Sequence, residues 1–265
     1  MEKKILICGK NSLLFKIFKT YQLYNYDAVS HNEISKINLD HYKLIILFSF
    51  DESLHKKKID IDNSFENYLI DKIKDRNIHL IYFSTSRVYE NSNKEKLNEE
   101  LPINLSSLTM YSFNKKIIED FFLRNLNQKC TILRLSNILH SREFCINKRT
   151  FMCTFYKNLK NNFIQMPSNN FKKDFIDQNS FNFALSNIIE KYDDFIGIFN
   201  FGSGCFISKN DFINSANNFG VHKLIDGDET FSFILDITKL NQKLNLNISN
   251  KKLIQYLNKY VNSVN

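Results

Sequence analysis

The sequence predicts an α/β fold in which a doubly wound parallel sheet is joined to a smaller C-terminal lobe. Short apolar runs alternate with longer segments of helical spacing, and this alternation becomes irregular near residue 140. The short runs are apolar almost throughout, which is typical of strands in a parallel sheet that is covered on both faces. Right-handed crossovers between such strands produce a doubly wound sheet, which binds ligands at the carboxyl ends of its strands.

Predicted strands and helices largely alternate through the first half of the chain, with two strands in succession at 27–30 and 44–48. Apolar or β-branched runs predict the strands, and apolar residues spaced three or four apart predict the helices. On α-helical spacing, Ile117, Ile118, Phe121 and Phe122 form an apolar stripe. The predicted strands cover residues 4–8, 27–30, 44–48, 79–83 and 131–135, and the predicted helices cover 13–21, 65–75 and 111–125.

Beyond residue 140 neither an internal repeat nor a low-complexity linker marks a boundary. The predicted elements there are helices over 151–159, 181–189, 209–218 and 249–261 and a strand over 198–201. We therefore predict a sheet domain over residues 1–145, to which residues 174–205 return, and a smaller lobe over residues 146–265.

The composition excludes several classes of protein. The chain has 265 residues, 43% of them hydrophobic, which is enough to bury a substantial core. The net charge of +8 arises from lysines that are spread along the chain and mixed with acids, which indicates a solvated surface rather than a nucleic-acid groove. No apolar run approaches the roughly 20 residues needed to span a bilayer. We expect neither nucleic acid nor a membrane as a partner, and a phosphate-bearing small molecule suits the basic surface.

The five cysteines are scattered and include no C-x-x-C pair. Cys8 and Cys130 lie in or beside apolar runs of strand character. Buried, reduced thiols in a cytoplasmic protein are therefore the simplest interpretation, and no metal site is predicted.

Two features of the sequence point to chemistry. Gly9 stands between the first strand and the first helix, where nucleotide-binding loops lie, although a glycine there is more often an ordinary turn. Tyr111 and Lys115 project from one face of a helix, and Thr85 lies at the carboxyl end of the preceding strand. A hydroxyl, a phenol and an ammonium so placed form a proton-transfer site. The spacing Tyr-x-x-x-Lys also occurs by chance, but its combination with Thr85 and Gly9 favours function.

These residues belong to a series that resembles the extended short-chain dehydrogenase/reductases, the NAD-dependent epimerase/dehydratase family that acts on nucleotide sugars. The resemblance covers nearly the whole chain, and it depends on the order of the segments rather than on any one motif. The segments are Gly9, where the family's Gly-x-x-Gly-x-x-Gly begins, followed by 84–89 (STSRVY), 111–115 (YSFNK), 133–137 (LRLSN), 173–176 (KDFI), 200–204 (NFGSG) and 236–240 (DITKL).

The resemblance implies a Rossmann-like fold, with a dinucleotide-binding domain over 1–145 and a substrate-binding lobe over 146–265. It makes Thr85, Tyr111 and Lys115 the catalytic residues. Tyr111 would give its proton to a ketone oxygen while hydride arrives from reduced nicotinamide, and Thr85 would orient the ketone. Lys115 would hold the nicotinamide ribose and lower the pKa of Tyr111, since an unperturbed tyrosine has a pKa of about 10.

The cofactor loop departs from the family pattern. Gly9 keeps the glycine of the tight turn, Ser12 stands at the second glycine position, and Phe15 stands at the third, where its ring is expected to push the helix away from the strand. We predict a drifted but working loop, and a broken loop in a non-catalytic binding protein is the alternative. The predicted cofactor-binding residues are Gly9, Lys10, Ser12, Leu13, Leu14, His31, Phe48, Ser49, Tyr111 and Lys115.

The cofactor preference is predicted from the end of the second strand. Members that prefer NAD place an acid there to bind the ribose hydroxyl, whereas this chain has no acid before Glu33. Lys10 could pair with a 2′-phosphate instead. We therefore predict NADP(H) in preference to NAD(H), although His31 and Lys10 as solvated surface residues are nearly as well supported.

A second difference from the family pattern reduces the number of reactions that the chain could catalyse. Sugar dehydratases of the family carry Asp-Glu after the catalytic threonine, where this chain has Ser86 and Arg87. Neither residue can supply the carboxylate that eliminates water, so carbonyl reduction or epimerisation remains. The favoured prediction is reduction of the 4-keto group of a nucleotide-linked 4-keto-6-deoxyhexose, for a surface polysaccharide such as O-antigen or capsule. A nucleotide-sugar 4-epimerase is the alternative.

The predicted substrate partner is thus a nucleotide sugar. Lys173 replaces a family arginine and keeps its charge without the bidentate fork. Family members often dimerise through the helix that carries Tyr111, so the resemblance allows a homodimer. The predicted substrate contacts are Thr85, Ser86, Arg87, Asn137 and Lys173.

Overall fold

The computed structural model describes residues 4–21, 24–48, 52–92, 94–145, 150–217 and 223–263. The chain separates into two compact units. The first comprises Met1–Asn91, Glu100–Leu135 and Leu185–Phe199, and the second comprises Ser92–Glu99, Ser136–Ala184 and Asn200–Asn265. The chain crosses between the two units more often than the sequence predicts. The additional crossings arise because residues 96–97 and 137–139 hydrogen-bond to strands of the second unit.

Every element predicted from periodicity is present, with its described ends within three residues of the predicted ones. The strands are β1 (Lys4–Cys8), β2 (Tyr26–Val29), β3 (Tyr42–Leu47), β4 (His79–Thr85), β5 (Lys96–Leu97), β6 (Cys130–Leu135), β7 (Asn137–Leu139), β8 (Phe163–Pro167), β9 (Lys172–Asp177), β10 (Gly197–Phe201), β11 (Phe206–Ser208), β12 (Lys223–Gly227) and β13 (Ile234–Leu235). The helices are α1 (Leu13–Lys19), α2 (Phe65–Ile73), α3 (Met110–Leu126), α4 (Phe151–Lys160), α5 (Gln178–Glu190), α6 (Lys209–Ser215), α7 (Thr238–Leu244) and α8 (Asn250–Asn262).

Six strands form one sheet in the order β2-β1-β3-β4-β6-β10. The pairs β1–β2, β1–β3, β3–β4 and β4–β6 are parallel. Because β1 lies between β2 and β3, the chain leaves β1 in one direction along the sheet and then returns past it in the other. The carboxyl ends of β1 and β3 therefore form a topological switch point, where α/β sheets bind ligands. The predicted α/β class with a doubly wound parallel sheet is confirmed.

The core of the first unit explains why its strands are apolar throughout. All of β4 is buried, and α2 and α3 pack together on the sheet. The stripe predicted on α3 is buried in part, since Ile118 and Phe122 are fully buried while Ile117 and Phe121 are half-buried. Each fully buried isoleucine or phenylalanine side chain stabilises the fold by about 1.5–3 kcal/mol.

The second unit is organised around a buried carboxylate. Asp174 in β9 is fully buried and accepts backbone N–H groups from Ser203 and Gly204, both at 3.0 Å, and from Leu235 at 3.2 Å. Burial raises the pKa of Asp174 to about 7, and the N–H donors act in the opposite direction. A Cβ at Gly202 would lie 2.5 Å from Asp174 Oδ1, so the glycine allows the backbone to approach the carboxylate. The segment 200–204 thus encloses Asp174.

The cysteines differ from the prediction in one respect. Cys8 and Cys130 are buried free thiols and Cys205 is a half-buried one, whereas Cys145 and Cys153 form a disulfide. The prediction of reduced thiols is therefore wrong for this pair, whose Cα atoms approach to 5.1 Å only in the folded chain. The cytoplasmic location stays a prediction. No helix in the described part of the chain combines the length and the apolar character needed to cross a membrane.

A buried histidine should make the first unit sensitive to acid. Thr131 donates its hydroxyl hydrogen to the carbonyl oxygen of Phe195, so the Nε2–H of His79 must donate to Thr131 Oγ1, at 2.7 Å. Burial lowers the pKa of His79 to about 4. The unfolded chain, with a histidine pKa of about 6.5, binds more protons between these values, so the free energy of unfolding falls as the pH falls.

We expect His79 to account for a loss of up to about 3 kcal/mol between pH 6.5 and pH 4. Urea unfolding across this range should show a shallower loss in His79→Gln than in the unaltered chain. The exposed residue His41 provides the control, since His41→Gln should leave the pH dependence unchanged. Equal pH slopes for His79→Gln and the unaltered chain would contradict this assignment.

Candidate active site

The turn after β1 is built around Gly9. Gly9 has a φ of +112°, a conformation open to glycine and strained for other residues. The backbone N–H groups of Gly9 and Lys10 donate to the carbonyl oxygen of Val29, at 2.8 and 3.1 Å, and join the turn to the end of β2. Ser12 Oγ accepts the N–H of Phe15 and caps α1. Gly9 therefore makes the tight turn that the sequence predicts, and Ser12 acts as a helix cap.

Phe15 is accommodated in a cluster of aromatic rings. Its side chain is buried and meets Tyr26 of β2 edge-on, with the ring centroids 5.9 Å apart. Phe18 contacts both Tyr26 and Phe48, and Phe48 contacts Phe83 at 5.0 Å. The bulky ring at the third glycine position is thus part of the packing between α1 and the sheet.

Lys10 forms an ion pair with Glu33. Its Nζ lies 2.7 Å from Glu33, which also accepts hydrogen bonds from the backbone and side chain of Ser30. The hydrogen bond from Lys10 is the largest cause that lowers the pKa of Glu33 to about 2. His31 stacks on Phe65 with the ring centroids 4.1 Å apart. Glu33, four residues beyond the end of β2, therefore reaches the glycine turn.

Thr85 and Tyr111 are brought together as the sequence predicts. Thr85 is the last residue of β4, and Tyr111 lies in the first turn of α3 with its side chain hydrogen-bonded to Thr85. Burial raises the pKa of Tyr111 above its ordinary value of 10, while the hydrogen bond to Thr85 and the charge of Arg87 oppose this shift. Tyr111 is therefore protonated at neutral pH and can donate a proton.

Lys115 lies one turn further along α3 and is buried. Its Nζ donates to the carbonyl oxygen of Phe83 at 2.8 Å and lies 4.6 Å from the ring centroid of Tyr82. Burial lowers the pKa of Lys115 to about 7, against the opposing effect of Glu66 and Glu119. The guanidinium charge of Arg87 also lowers the pKa of Tyr111, and the effect of Lys115 on that pKa stays a prediction.

Two residues that contact or support Tyr111 are not predicted from the sequence. His55, in a short 3₁₀ segment (Glu52–His55), stacks on the Tyr111 ring with centroids 4.7 Å apart and planes 6° apart. Asn114 positions this segment, because its Nδ2 donates to the carbonyl oxygens of Leu54 and Lys57 at 2.7 and 2.8 Å. No pattern in the sequence signals either role, since each joins residues more than 50 positions apart.

A buried ion pair holds helix α3 against the sheet. Arg134 of β6 donates to Glu119 of α3 through Nε, at 3.2 Å to both carboxylate oxygens, and through Nη2 at 2.8 Å. Its Nη1 donates to the hydroxyl of Tyr89 at 2.8 Å. Arg134 and Glu119 are both almost completely excluded from solvent. The pair thus ties α3 both to the sheet and to the segment that follows Thr85.

The remaining predicted residues fall into separate groups. Ser86 is buried, and Arg87 is exposed, with its guanidinium 3.3 Å from Glu90 and 5.8 Å from the Tyr111 ring centroid. In the second unit, Asn137 Nδ2 donates to the carbonyl oxygen of Asp174 at 3.2 Å, and Lys173 Nζ donates to Thr230. Ser49 lies outside the described residues. The cofactor and substrate roles of the predicted residues stay predictions.

Removing the charge of Arg134 should destabilise the first unit strongly. Arg134→Met would leave Glu119 buried without its partner, at a cost of about 3–5 kcal/mol in the free energy of unfolding. The double variant Arg134→Met with Glu119→Leu should recover most of this loss in urea unfolding, because both charges are then absent. Lys74→Met, which breaks an exposed pair with Asp71, is the control and should cost less than about 1 kcal/mol. A double variant no more stable than Arg134→Met alone would contradict this account.

Known proteins resemble this chain in structure rather than in sequence. No protein-family model matches the sequence, and no similar sequence is found among curated proteins. A UDP-glucose 4-epimerase from the hyperthermophile Thermotoga maritima, with UDP-glucose, has a TM-score of 0.76 at 17% identity, over 98% of this chain and 99% of that one. A UDP-glucuronic acid 4-epimerase from Bacillus cereus, in complex with UDP-glucuronic acid and NAD, has a TM-score of 0.75 at 16% identity, over 99% and 100%.

A third structure of this kind is an NAD-dependent NDP-hexosamine 5,6-dehydratase involved in tunicamycin biosynthesis. It has a TM-score of 0.78 at 14% identity, over 99% of this chain and 98% of that one. At such identities the likeness establishes the fold, which is Rossmann-like and shared along nearly the whole chain.

Proposed function

We propose that the protein is a nicotinamide-dependent oxidoreductase that reduces the 4-keto group of a nucleotide-linked 4-keto-6-deoxyhexose. The observation that carries the proposal is the hydrogen-bonded pair of Thr85 and protonated Tyr111 at the carboxyl end of β4. A phenol held in this way is a proton donor for a developing alkoxide. Reduction of a ketone requires such a donor, and the solved structures of similar fold include a 4-epimerase in complex with UDP-glucuronic acid and NAD.

The residues at the switch point fit a dinucleotide. Gly9 has no side chain, so the backbone of the turn can approach a pyrophosphate closely. Lys115 places an ammonium donor beside the carboxyl end of β4, where it would hold the ribose hydroxyls. In this proposal the reduced cofactor supplies hydride to the ketone carbon. Thr85 orients the ketone, and Tyr111 delivers the proton to its oxygen.

The cofactor preference predicted from the sequence loses its support in the structure. The prediction of NADP(H) depends on Lys10 meeting a 2′-phosphate, and Lys10 is paired with Glu33 at 2.7 Å. A 2′-phosphate would have to displace that carboxylate or be repelled by it. Because Glu33 brings a carboxylate to the glycine turn, and a carboxylate suits a ribose 2′-hydroxyl better than a 2′-phosphate, we propose NAD(H) as the cofactor.

A 4-epimerase is the second candidate. Two of the structures of similar fold are 4-epimerases with nucleotide sugars, and Ser86 and Arg87 suit epimerisation as well as reduction, since neither supplies a carboxylate for dehydration. The two reactions differ in their use of cofactor. A reductase consumes one reduced nicotinamide per ketone and releases the oxidised form, whereas an epimerase restores its cofactor in each turnover and retains it.

Replacing the phenol tests the proposed reaction. Tyr111→Phe removes the proton donor but keeps the ring that stacks on His55. We expect kcat for NADH oxidation with nucleotide-linked 4-keto-6-deoxyhexoses to fall by about 10²- to 10⁴-fold, with the Kd for NADH unchanged in calorimetry. The exposed Tyr68→Phe is the control. Near-normal turnover in Tyr111→Phe would remove Tyr111 from the mechanism, and absent NADH binding by the unaltered chain would favour the non-catalytic alternative.

The Lys10–Glu33 pair tests the cofactor preference. Glu33→Gln removes the carboxylate charge and frees Lys10 for a 2′-phosphate. We expect the affinity for NADPH relative to NADH to rise about tenfold in calorimetric titrations, which corresponds to about 1.4 kcal/mol. Asp71→Asn, which removes an exposed carboxylate elsewhere in the first unit, should not change the ratio. An unchanged ratio in Glu33→Gln would place Lys10 outside the cofactor site.

A further inference from the structure

Three side chains with metal-binding atoms converge in the second unit. They are His140, which follows β7, Cys145, which ends a 3₁₀ segment (Arg142–Cys145), and Cys153 in the first turn of α4. One ring nitrogen of His140 and the two Sγ atoms all lie within 4.8 Å of one another. None of the three belongs to the oxidoreductase site proposed above.

The orientation of His140 leaves one ring nitrogen without a hydrogen-bond donor among the described residues. Its Nδ1 lies 3.0 Å from the carbonyl oxygen of Ser141. A carbonyl can only accept, so Nδ1 carries the hydrogen and Nε2 carries the lone pair. Nε2 is buried and has no hydrogen-bond partner among the described residues. An unsatisfied buried polar atom destabilises the fold, and a backbone carbonyl on the other nitrogen is the usual support of a metal-bound histidine.

The surroundings hold this histidine in place. His140 is 1% exposed, and its ring meets the edges of Phe144 and Tyr156 at 6.3 and 6.4 Å. The hydroxyl of Tyr156 donates to the carbonyl oxygen of His140 at 2.6 Å and joins the end of β7 to α4. The position of Nε2 is therefore set by both ring packing and the backbone.

The two cysteines supply the other potential ligands. Their sulfurs are joined as a disulfide in this structure, and a disulfide offers no hydrogen to the lone pair of His140. Cys153 is the third residue of α4, where the positive end of the helix favours a thiolate. The disulfide leaves Nε2 unsatisfied, whereas an ion bound to both thiolates would satisfy it.

We propose that the reduced protein binds one Zn²⁺ through His140 Nε2, Cys145 Sγ and Cys153 Sγ. Two thiolates and a neutral imidazole balance the charge of a divalent ion, which suits a site with little access to water. Sulfur and nitrogen ligands match zinc, whereas Mg²⁺ and Ca²⁺ require oxygen. Zn–S bonds of about 2.3 Å in a tetrahedral site place the sulfurs about 3.8 Å apart, so the two sulfurs separate when the ion enters.

Zinc can bind only after the disulfide between Cys145 and Cys153 has been reduced. A phosphine or thiol reductant supplies two electrons that cleave the S–S bond, and two protons from solvent complete the thiols. Zn²⁺ then displaces both thiol protons, which pass to solvent, and one coordination position stays open to water. The ion joins the segment after β7 to α4, so its binding stabilises the second unit.

Metal titration of the full chain tests the proposal. The protein, reduced with a phosphine and freed of metal under anaerobic conditions, should bind one equivalent of Zn²⁺ in calorimetry. With Co²⁺ as the spectroscopic probe it should show a thiolate-to-cobalt charge-transfer band. Cys153→Ser and His140→Ala should reduce Zn²⁺ binding at least tenfold. The control is Cys205→Ser, which removes a half-buried thiol bonded to the carbonyl oxygen of Ile248 and should bind zinc normally.

A second measurement uses the unaltered chain, so that misfolding of a variant does not obscure the result. Zn²⁺ should protect Cys145 and Cys153 from alkylation, as read by peptide mass spectrometry, while the alkylation of Cys205 stays unchanged. Reduced protein that binds less than about one tenth of an equivalent would overturn the proposal. Unchanged binding in Cys153→Ser, or equal alkylation with and without Zn²⁺, would do the same and leave the disulfide as the role of this pair.

Discussion

The buried ion pair between Arg134 and Glu119 is the interaction on which the candidate active site depends. Each charge would cost several kcal/mol to bury alone, so neither residue can be accommodated without the other. Because Arg134 lies on β6 and Glu119 on α3, the pair sets the position of the helix that carries Tyr111 and Lys115. The hydroxyl of Tyr89 shares Arg134, which links the same pair to the segment after Thr85.

The turn after β1 has one glycine, and side chains occupy the neighbouring positions. Gly9 makes the turn, which requires a positive φ. Phe15 occupies the position of the third glycine in the family pattern, and its ring packs in a cluster of aromatic rings. The carboxylate of Glu33 meets Lys10 at the same turn. The loop is therefore supported by packing and by an ion pair, and its backbone stays free of a side chain at Gly9.

The candidate site could be predicted in part because Thr85, Tyr111 and Lys115 occupy positions set by local structure. A strand end and one turn of a helix follow from short-range periodicity, so the sequence predicts where these residues lie, while their catalytic roles stay proposals. Their partners were not found, since His55 on Tyr111 and Glu33 on Lys10 each join segments more than 20 residues apart. Such contacts depend on strand order and loop paths, which periodicity does not encode.

By itself the sequence determined the alternation of strands and helices in the first unit, because a parallel strand buried on both faces must be apolar throughout and a packed helix must repeat its apolar residues every three or four positions. It missed short strands of the second unit, such as β7 and β11, which have three residues each. Only the tertiary structure decided the strand order, the partner of Lys10 and the meeting of His140, Cys145 and Cys153. Each of these depends on separate segments approaching one another, and no local pattern in the chain specifies that approach.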